Sequence, residues 1–214
     1  YTVADGLPHN SIMGILEDGS GDLWLATARG LVQFENAVRL PEKPSFVRFD
    51  TNDGLQGYEF VRNACFRSAS GEMFFGGPRG LNSFFPDRIR RNTTPPPIAL
   101  TGLRILNKTV KPGAPGSPLA KQLADTETLV LSYRDSVITI EFAALNYLLP
   151  QKNQYAYQLQ GFDQDWSYVG AQHSATYTNL SPGSYTFRVK AANNDGIWNE
   201  KGVELRIRVT PPWW

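Results

Sequence analysis

The sequence is poor in the residues that usually form catalytic and metal sites. Its 214 residues include one cysteine, Cys65, and two histidines, His9 and His173. A lone cysteine excludes an internal disulfide, and neither histidine has a carboxylate or cysteine at metal-ligand spacing. No phosphate-binding glycine loop opens a helix, and no serine has a nucleophile-elbow context. We therefore expect no catalytic activity, no cofactor and no bound metal.

The chain also lacks strong charge of either sign and long apolar runs. Lys and Arg number 21 against 20 Asp and Glu, a net charge of +1, which gives no field that would recruit nucleic acid. The cluster Arg88, Arg90 and Arg91 is interpreted as a solvated connector. No segment approaches the roughly 20 apolar residues of a membrane helix. No signal peptide opens the chain, so we interpret both ends as cuts from a longer protein.

Turn and strand residues are plentiful, and part of the sequence repeats. The 19 glycines, 15 prolines and 12% aromatic residues indicate an all-β fold. In the first half, short motifs recur about 50 residues apart, and a two-residue insertion explains one smaller offset. The paired motifs are Asp5-Gly6-Leu7 with Asp53-Gly54-Leu55, Gly21–Leu25 with Gly71–Phe75, and Arg29-Gly30-Leu31 with Arg79-Gly80-Leu81.

This repeat predicts two consecutive β-propeller blades. Each copy contains short strands separated by glycine turns, and sheets repeating every 40 to 50 residues are typical of propeller blades. Trp24 and Phe74 should occupy equivalent buried positions. Because two blades cannot close a ring, further blades are expected upstream, and this chain should expose a blade face or strand edge. The predicted strands are Ser11–Glu17, Leu23–Thr27, Leu31–Phe34, Ala64–Ser68, Met73–Gly76 and Leu81–Phe84.

The second half reads as an immunoglobulin or fibronectin-like β-sandwich. We predict propeller repeats over residues 1–86, a stiff proline-rich linker over 87–97, and the sandwich over 98–214. Alternation places Arg188 and Lys190 on a wet face, opposite an apolar face. The predicted sandwich strands are Ala99–Leu106, Leu129–Leu131, Val137–Phe142, Gln154–Leu159, Ala175–Thr178, Tyr185–Ala191 and Val203–Val209.

The motifs of both halves resemble known families. The first copy resembles the two-component regulator propeller repeat, whereas the second departs from it, with Phe74 where tryptophan is usual and no Glu-Asp pair. The segment Tyr133–Pro212 resembles the Y_Y_Y domain. The family-motif residues are Asp5, Gly6, Leu7, Trp24, Gly30, Phe74, Gly80, Tyr157, Trp166, Tyr177, Tyr185 and Trp198.

This resemblance implies the extracytoplasmic sensing and relay part of a bacterial receptor. Such a parent has a periplasmic propeller, a Y_Y_Y sandwich, one transmembrane helix after it, and a cytoplasmic histidine kinase or diguanylate cyclase. It would dimerise through the sandwich and respond to an oligosaccharide or another small molecule. The adjacent Trp213 and Trp214 are predicted to couple the sandwich to the membrane helix. The alternative is an accessory region of a secreted carbohydrate-active or adhesion protein.

Two other readings of local motifs are open to test. Tyr157, Tyr177 and Tyr185 could form a sugar-stacking platform, but strand tyrosines are more often sandwich core with hydroxyls bonded to a backbone partner. The segments 18–22 and 193–196 superficially resemble calcium loops, yet both lack the later bidentate glutamate and are better explained as hairpin turns.

Overall fold

A computed structural model describes residues 1–40 and 42–212, and these residues form an all-β protein. The chain divides into two compact units, Tyr1–Arg91 and Asn92 onward. No helix in the described ranges has the length and apolar character needed to cross a membrane. Trp213 and Trp214, and with them the predicted membrane coupler, lie outside the described residues.

The first unit contains two antiparallel sheets, one from each copy of the repeat. The first sheet has four strands in chain order and the second has three. The strands are β1 (Ile12–Glu17), β2 (Leu23–Thr27), β3 (Gly30–Glu35), β4 (Ser45–Phe49), β5 (Cys65–Arg67), β6 (Met73–Gly77) and β7 (Gly80–Phe84). The second copy lacks a fourth strand because the chain after β7 enters a short 3-10 helix, Pro86–Arg88, instead of turning back.

One face of the first sheet packs on the second sheet, as expected for consecutive blades. Trp24 and Leu31 share a core with Met73 and Phe75, and the rings of Trp24 and Phe84 lie 4.8 Å apart. The opposite face of the first sheet has its own small core around Leu7, Leu25, Val32, Phe34 and Ala37. The first sheet is therefore covered on both faces.

The predicted burial of Phe74 is wrong. Trp24 pairs with Gln33 and Phe74 with Ser83, so the two residues hold equivalent positions in their sheets. Trp24 is 1% exposed, whereas Phe74 is only half-buried. The difference arises because the second sheet covers Trp24 and no further sheet of the described chain covers Phe74.

The second unit is a two-sheet sandwich that contains every predicted strand and two more. Its strands are β8 (Ile98–Ile105), β9 (Lys108–Thr109), β10 (Thr128–Ser132), β11 (Val137–Ala144), β12 (Gln154–Gln160), β13 (Ser167–Gly170), β14 (Ser174–Thr178), β15 (Gly183–Ala192) and β16 (Trp198–Thr210). The sheet orders are β10-β16-β15-β12-β13 and β14-β11-β8-β9. The additional strands β9 and β13 are short and lack an apolar alternation that would mark them in the sequence.

Inward-facing side chains of both sheets form one apolar core. Phe142 and Phe187 lie at its centre, with ring centroids 6.1 Å apart. Leu119 and Leu123, from the long connection between β9 and β10, are 2% and 3% exposed. This connection therefore packs on the core, although its prolines exclude it from the sheets.

Candidate functional site

The Asp-Gly-Leu motif forms the same local structure in both copies. In the first copy the Asp5 carboxylate accepts a hydrogen bond from the Thr2 amide at 2.7 Å, which closes a capping box on a short 3-10 helix. Gly6 ends that helix at φ +116°, a conformation that favours glycine. Leu7 follows and is buried. The second copy repeats the box and the left-handed glycine at Asp50–Gly54, so the motif is structural.

Asp18 and Trp24 form a buried pair that sequence reasoning missed. The Trp24 indole N–H donates to Asp18 Oδ2 at 3.0 Å, and Asp18 Oδ1 accepts from the amides of Ser20 and Asp22. Asp18 is 6% exposed. The segment 18–22 is therefore a hairpin turn tied to the tryptophan, and the carboxylate is already occupied by three donors.

The second copy changes both members of this pair together. Ser68 holds the place of Asp18, and its hydroxyl accepts from the Glu72 amide at 3.0 Å, which preserves the turn. Phe74 replaces Trp24 and has no N–H that needs an acceptor. The two departures from the repeat pattern are thus one coupled substitution.

Two glycines hold equivalent positions with different surroundings. Gly30 has φ +101°, and a β-carbon there would lie 2.5 Å from the carbonyl oxygen of Phe49 on β4. Gly80 has φ +136° and no atom within 4 Å of the same site. The difference reflects the missing fourth strand beside β7.

An apolar patch remains exposed on the second sheet. Phe66 and Leu81 are 63% and 61% exposed, and the half-buried Phe74 lies beside Phe66 with ring centroids 6.3 Å apart. These three residues, the blade face, lie on the side of the second sheet opposite Met73 and Phe75. The expected exposed blade face is therefore present in the first unit.

The three candidate tyrosines do not form a surface platform. Tyr177 is 5% exposed and donates its hydroxyl proton to Asp163 Oδ2 at 2.7 Å. Tyr185 is half-buried and donates to the carbonyl oxygen of Ser181 at 2.9 Å. Tyr157 is half-buried and packs against the core. They serve the sandwich core, and for Tyr177 the partner is a side chain and not the backbone.

Asp163 also affects the ionisation of these tyrosines. Burial raises the pKa of Tyr177 above its usual value of 10.0, and the hydrogen bond to the Asp163 carboxylate raises it further. Burial, followed by the negative charge of Asp163, likewise raises the pKa of Tyr157. Both hydroxyls therefore favour the neutral form, which suits hydrogen-bond donors in a core.

The prediction that this side of β15 is exposed to solvent is wrong at Lys190. It is 7% exposed, because Trp166, Tyr168 and Trp198 surround its ammonium group at 4.9, 5.3 and 5.3 Å from their ring centroids. Its Nζ donates to Glu200 Oε2 at 2.9 Å. Burial works to lower the pKa of Lys190, but the hydrogen bonds to Glu200 and Tyr168 outweigh it and leave the pKa raised. Two motif tryptophans thus form a cation–π cluster on the outer sheet face.

The His, Cys, Asp and Glu side chains of the described residues do not gather into a metal site. Within residues 1–40 and 42–212, no group of three or more His, Cys, Asp or Glu side chains could hold a metal ion. His9 Nδ1 accepts from the Ser11 amide at 2.9 Å, and the carbonyl of His173 accepts from the Phe142 amide. The two histidines lie in different units. The segment 193–196 is a turn in which Asn193 accepts the amides of Asp195 and Ile197.

Family models match one segment in each half of the chain. Residues 6–29 match the two-component regulator propeller, and residues 146–210 match the Y_Y_Y domain. The chain joins a regulator propeller repeat to a Y_Y_Y domain. The propeller match lies within the first copy, in agreement with the departures at Ser68 and Phe74 in the second.

Relatives share this arrangement over nearly the whole chain. A histidine kinase P4 of Formosa agariphila is 36% identical over 98% of the chain, which spans 15% of that protein. The extracellular domain of the hybrid two-component system BT3049 of B. thetaiotaomicron is 28% identical over 99% of the chain, with a TM-score of 0.80, and the chain spans 28% of it. The extracellular domain of BT4673 from the same organism shares the fold, with a TM-score of 0.53 and 24% identity. The match covers 97% of the chain and 26% of the BT4673 domain.

These likenesses identify the type of region. The chain is similar over nearly its whole length to the extracellular sensor region of two-component receptors of the histidine-kinase type. In such receptors this region is non-catalytic, and the kinase lies in another part of the protein.

Proposed function

We propose that this chain senses and relays a signal on the periplasmic side of a bacterial inner membrane. A ligand bound by the complete propeller would displace the Y_Y_Y sandwich, which would act on a transmembrane helix further along the parent chain. The observation that carries this proposal is the likeness over 98% of the chain to a histidine kinase of which the chain spans 15%. A cytoplasmic kinase followed by a phosphorelay is the output that this likeness favours.

Upstream blades are the proposed partners of the blade face. Phe66, Phe74 and Leu81 are apolar and adjacent, and the first sheet already shows how a neighbouring blade covers the equivalent surface around Trp24. Burial of such side chains is favourable by about 1.5–3 kcal/mol each. Blades of the parent protein are therefore expected to cover this face.

Cysteine labelling tests the proposed blade contact. In a Cys65→Ala background, Phe66→Cys should react rapidly with a maleimide in the 214-residue chain. It should be protected in the complete extracytoplasmic region of the parent. Lys121→Cys, in an exposed loop of the second unit, is the control and should react equally in both. Equal reactivity of Phe66→Cys in both proteins would rule out the blade contact.

The relay is proposed to act through a homodimer of the sandwich. Two sandwiches related by a two-fold axis would bring two membrane helices under the control of one ligand-dependent rearrangement. In the membrane-embedded parent, cysteine at Trp213 should crosslink between subunits, with a yield that depends on ligand. Crosslinking at propeller positions but never at Trp213 would place the dimer contact in the propellers instead.

The signalling experiment uses the parent receptor in membrane vesicles. Oligosaccharide fractions are first sorted by whether they raise the melting temperature of the complete extracytoplasmic region. Fractions that bind should change autophosphorylation of the receptor, whereas fractions that do not bind should leave it unchanged. A flexible glycine-serine insertion after Thr210 should preserve binding and abolish the response. A response that survives this insertion would exclude a mechanical relay through the sandwich.

A further inference from the structure

The segment that enters the sandwich is fastened by asparagine side chains. Residues 92–97, the entry segment, precede β8 and include Pro95, Pro96 and Pro97. Prolines have no backbone N–H, so this segment can accept hydrogen bonds but can hardly donate them in a strand ladder. The segment is therefore fixed mainly through its carbonyl oxygens, by donors from other parts of the second unit.

Asn193 supplies two of these donors. Its side-chain amide donates to the carbonyl oxygens of Asn92 at 2.6 Å and Thr94 at 2.9 Å. Its carbonyl oxygen accepts from the amides of Asp195 and Ile197. Asn193 is 0% exposed, and these four bonds use the full capacity of a carboxamide. One buried side chain thus joins the entry segment to the β15–β16 hairpin.

Further contacts fix alternate residues of the same segment. Asn199, within β16, donates to the carbonyl oxygen of Pro96 at 2.9 Å. The Asn92 amide donates to Asp195 Oδ2 at 2.6 Å, and the Leu145 amide donates to the carbonyl oxygen of Pro97 at 2.7 Å. Residues 92–97, the second part of the predicted linker, are therefore bonded to the second unit.

The fastened end and the far end of the sandwich belong to one strand. β16 has 13 residues, Trp198–Thr210, and its register against β15 shifts at a β-bulge over residues 200–202, where Gly202 has φ +62°. Asn199 pairs with Ala191 at the start of β16. Thr210, at the end of β16, pairs in parallel with Ser132. A displacement applied to the entry segment therefore reaches the start of β16 through Asn199, and it passes the bulge before the paired stretch 203–210.

We infer that Asn193 and Asn199 are positioning residues that make the entry segment and β16 move as one body. Motion that arrives along the chain from the first unit is then delivered to Thr210 at the other end of the sandwich. This role rests on the proposed relay function, which it supplies with a defined route. Without these donors the proline segment would keep its stiffness but lose its attachment to the strand that carries the displacement.

Asn199→Asp removes the hydrogen bond to Pro96 and keeps the hydrogen bond with the Gly202 amide. The carboxylate can still accept the Gly202 amide, as Asn199 does at 3.2 Å, but it cannot donate to Pro96. Asn199 is half-buried, so the new charge remains partly solvated. Asn193→Ala removes the buried bridge and is the stronger variant. Gln154→Glu, an exposed amide at the start of β12, is the matched control for the change in charge.

Distances between spin labels measure the coupling in the 214-residue chain. Labels at Thr93 and Arg208, both exposed, report the position of the entry segment relative to the far end of β16. Labels at Gln154 and Arg208 report the body of the sandwich alone. All proteins carry Cys65→Ala. In the Asn199→Asp and Asn193→Ala variants the narrow Thr93–Arg208 distance distribution should broaden, and the Gln154–Arg208 distribution should stay the same. The Gln154→Glu control, labelled only at Thr93 and Arg208, should keep the narrow Thr93–Arg208 distribution.

Urea unfolding separates positioning from stability. A residue that only stabilises the fold would lower the urea midpoint and leave the distance distribution of the folded protein unchanged. Thr93–Arg208 distributions that stay narrow in both variants would overturn the inference, and the proposed relay function would then need another route. A relay response that survives the glycine-serine insertion in the vesicle experiment, together with broadened distributions here, would reject the relay function and not the attachment.

Discussion

The coupled replacement of Asp18 and Trp24 by Ser68 and Phe74 predicts a measurable interaction energy. Asp18→Ser should keep the acceptor for the Asp22 amide but remove the partner of the indole N–H. Trp24→Phe removes the N–H itself. The double variant reproduces the chemistry of the second copy, so Asp18→Ser should cost less beside Phe than beside Trp.

The magnitude follows from the burial of the pair. Trp24 is 1% exposed and Asp18 is 6% exposed. A buried donor left without a partner costs about 1–3 kcal/mol. We therefore expect Asp18→Ser and Trp24→Phe to show a coupling energy of about 1–2 kcal/mol, beyond the additivity error of about 0.3–0.5 kcal/mol.

Cys65 provides an assay confined to the first unit. It is the single cysteine of the chain and lies on β5, beside the core shared by the two sheets. Pulsed alkylation in increasing urea reports when that unit unfolds, whereas tryptophan fluorescence would mix both units. Additive effects of the two substitutions in this assay would refute the idea that the second copy changed both residues for one reason.

The remaining predictions concern two glycines and a buried tyrosine. Gly30→Ala should destabilise the first unit more than Gly80→Ala. Both substitutions place a side chain at a positive φ, which costs about 1–2 kcal/mol, but only the β-carbon at position 30 would also clash with the carbonyl oxygen of Phe49. Equal urea midpoints of the two variants, measured by Cys65 alkylation, would contradict this. Tyr177→Phe should lower the stability of the second unit by about 1–3 kcal/mol, because Asp163 loses a buried donor. Urea unfolding followed by circular dichroism measures this loss. An unchanged stability would count against the hydrogen bond between Tyr177 and Asp163. The raised pKa of Tyr177 means that the unfolded chain loses this proton first, so the associated stability is full below pH 10.0 and falls as pH rises above it. Absorbance at 295 nm should show this tyrosine ionising only with unfolding, and ionisation in the folded state would disprove the shift.

Local features could be predicted from the sequence because their causes lie within a few residues. The hairpin turn over residues 18–22 was predicted in this way, whereas the capping box between Thr2 and Asp5 was not, although it is equally local. Period-two alternation located β15 and β16, and the repeat with its glycine turns located every strand of the first unit except β4. The repeat offset paired Trp24 with Phe74 correctly. The Asp18–Trp24 pair spans six residues, and the simultaneous absence of both in the second copy was the signal for it.

The tertiary structure alone decided what covers each face. Alternation shows which residues share a side of a strand, but the covering element can come from anywhere in the chain. Phe74 is only half-buried because no described sheet lies over it, and Lys190 is buried because the rings of Trp166, Tyr168 and Trp198 enclose it. Asn193 reaches a carbonyl 101 residues away. The sequence by itself determined the turns, the family resemblance and all strands except β4, β9 and β13, whereas burial and long-range hydrogen bonds arose only when distant segments were brought together.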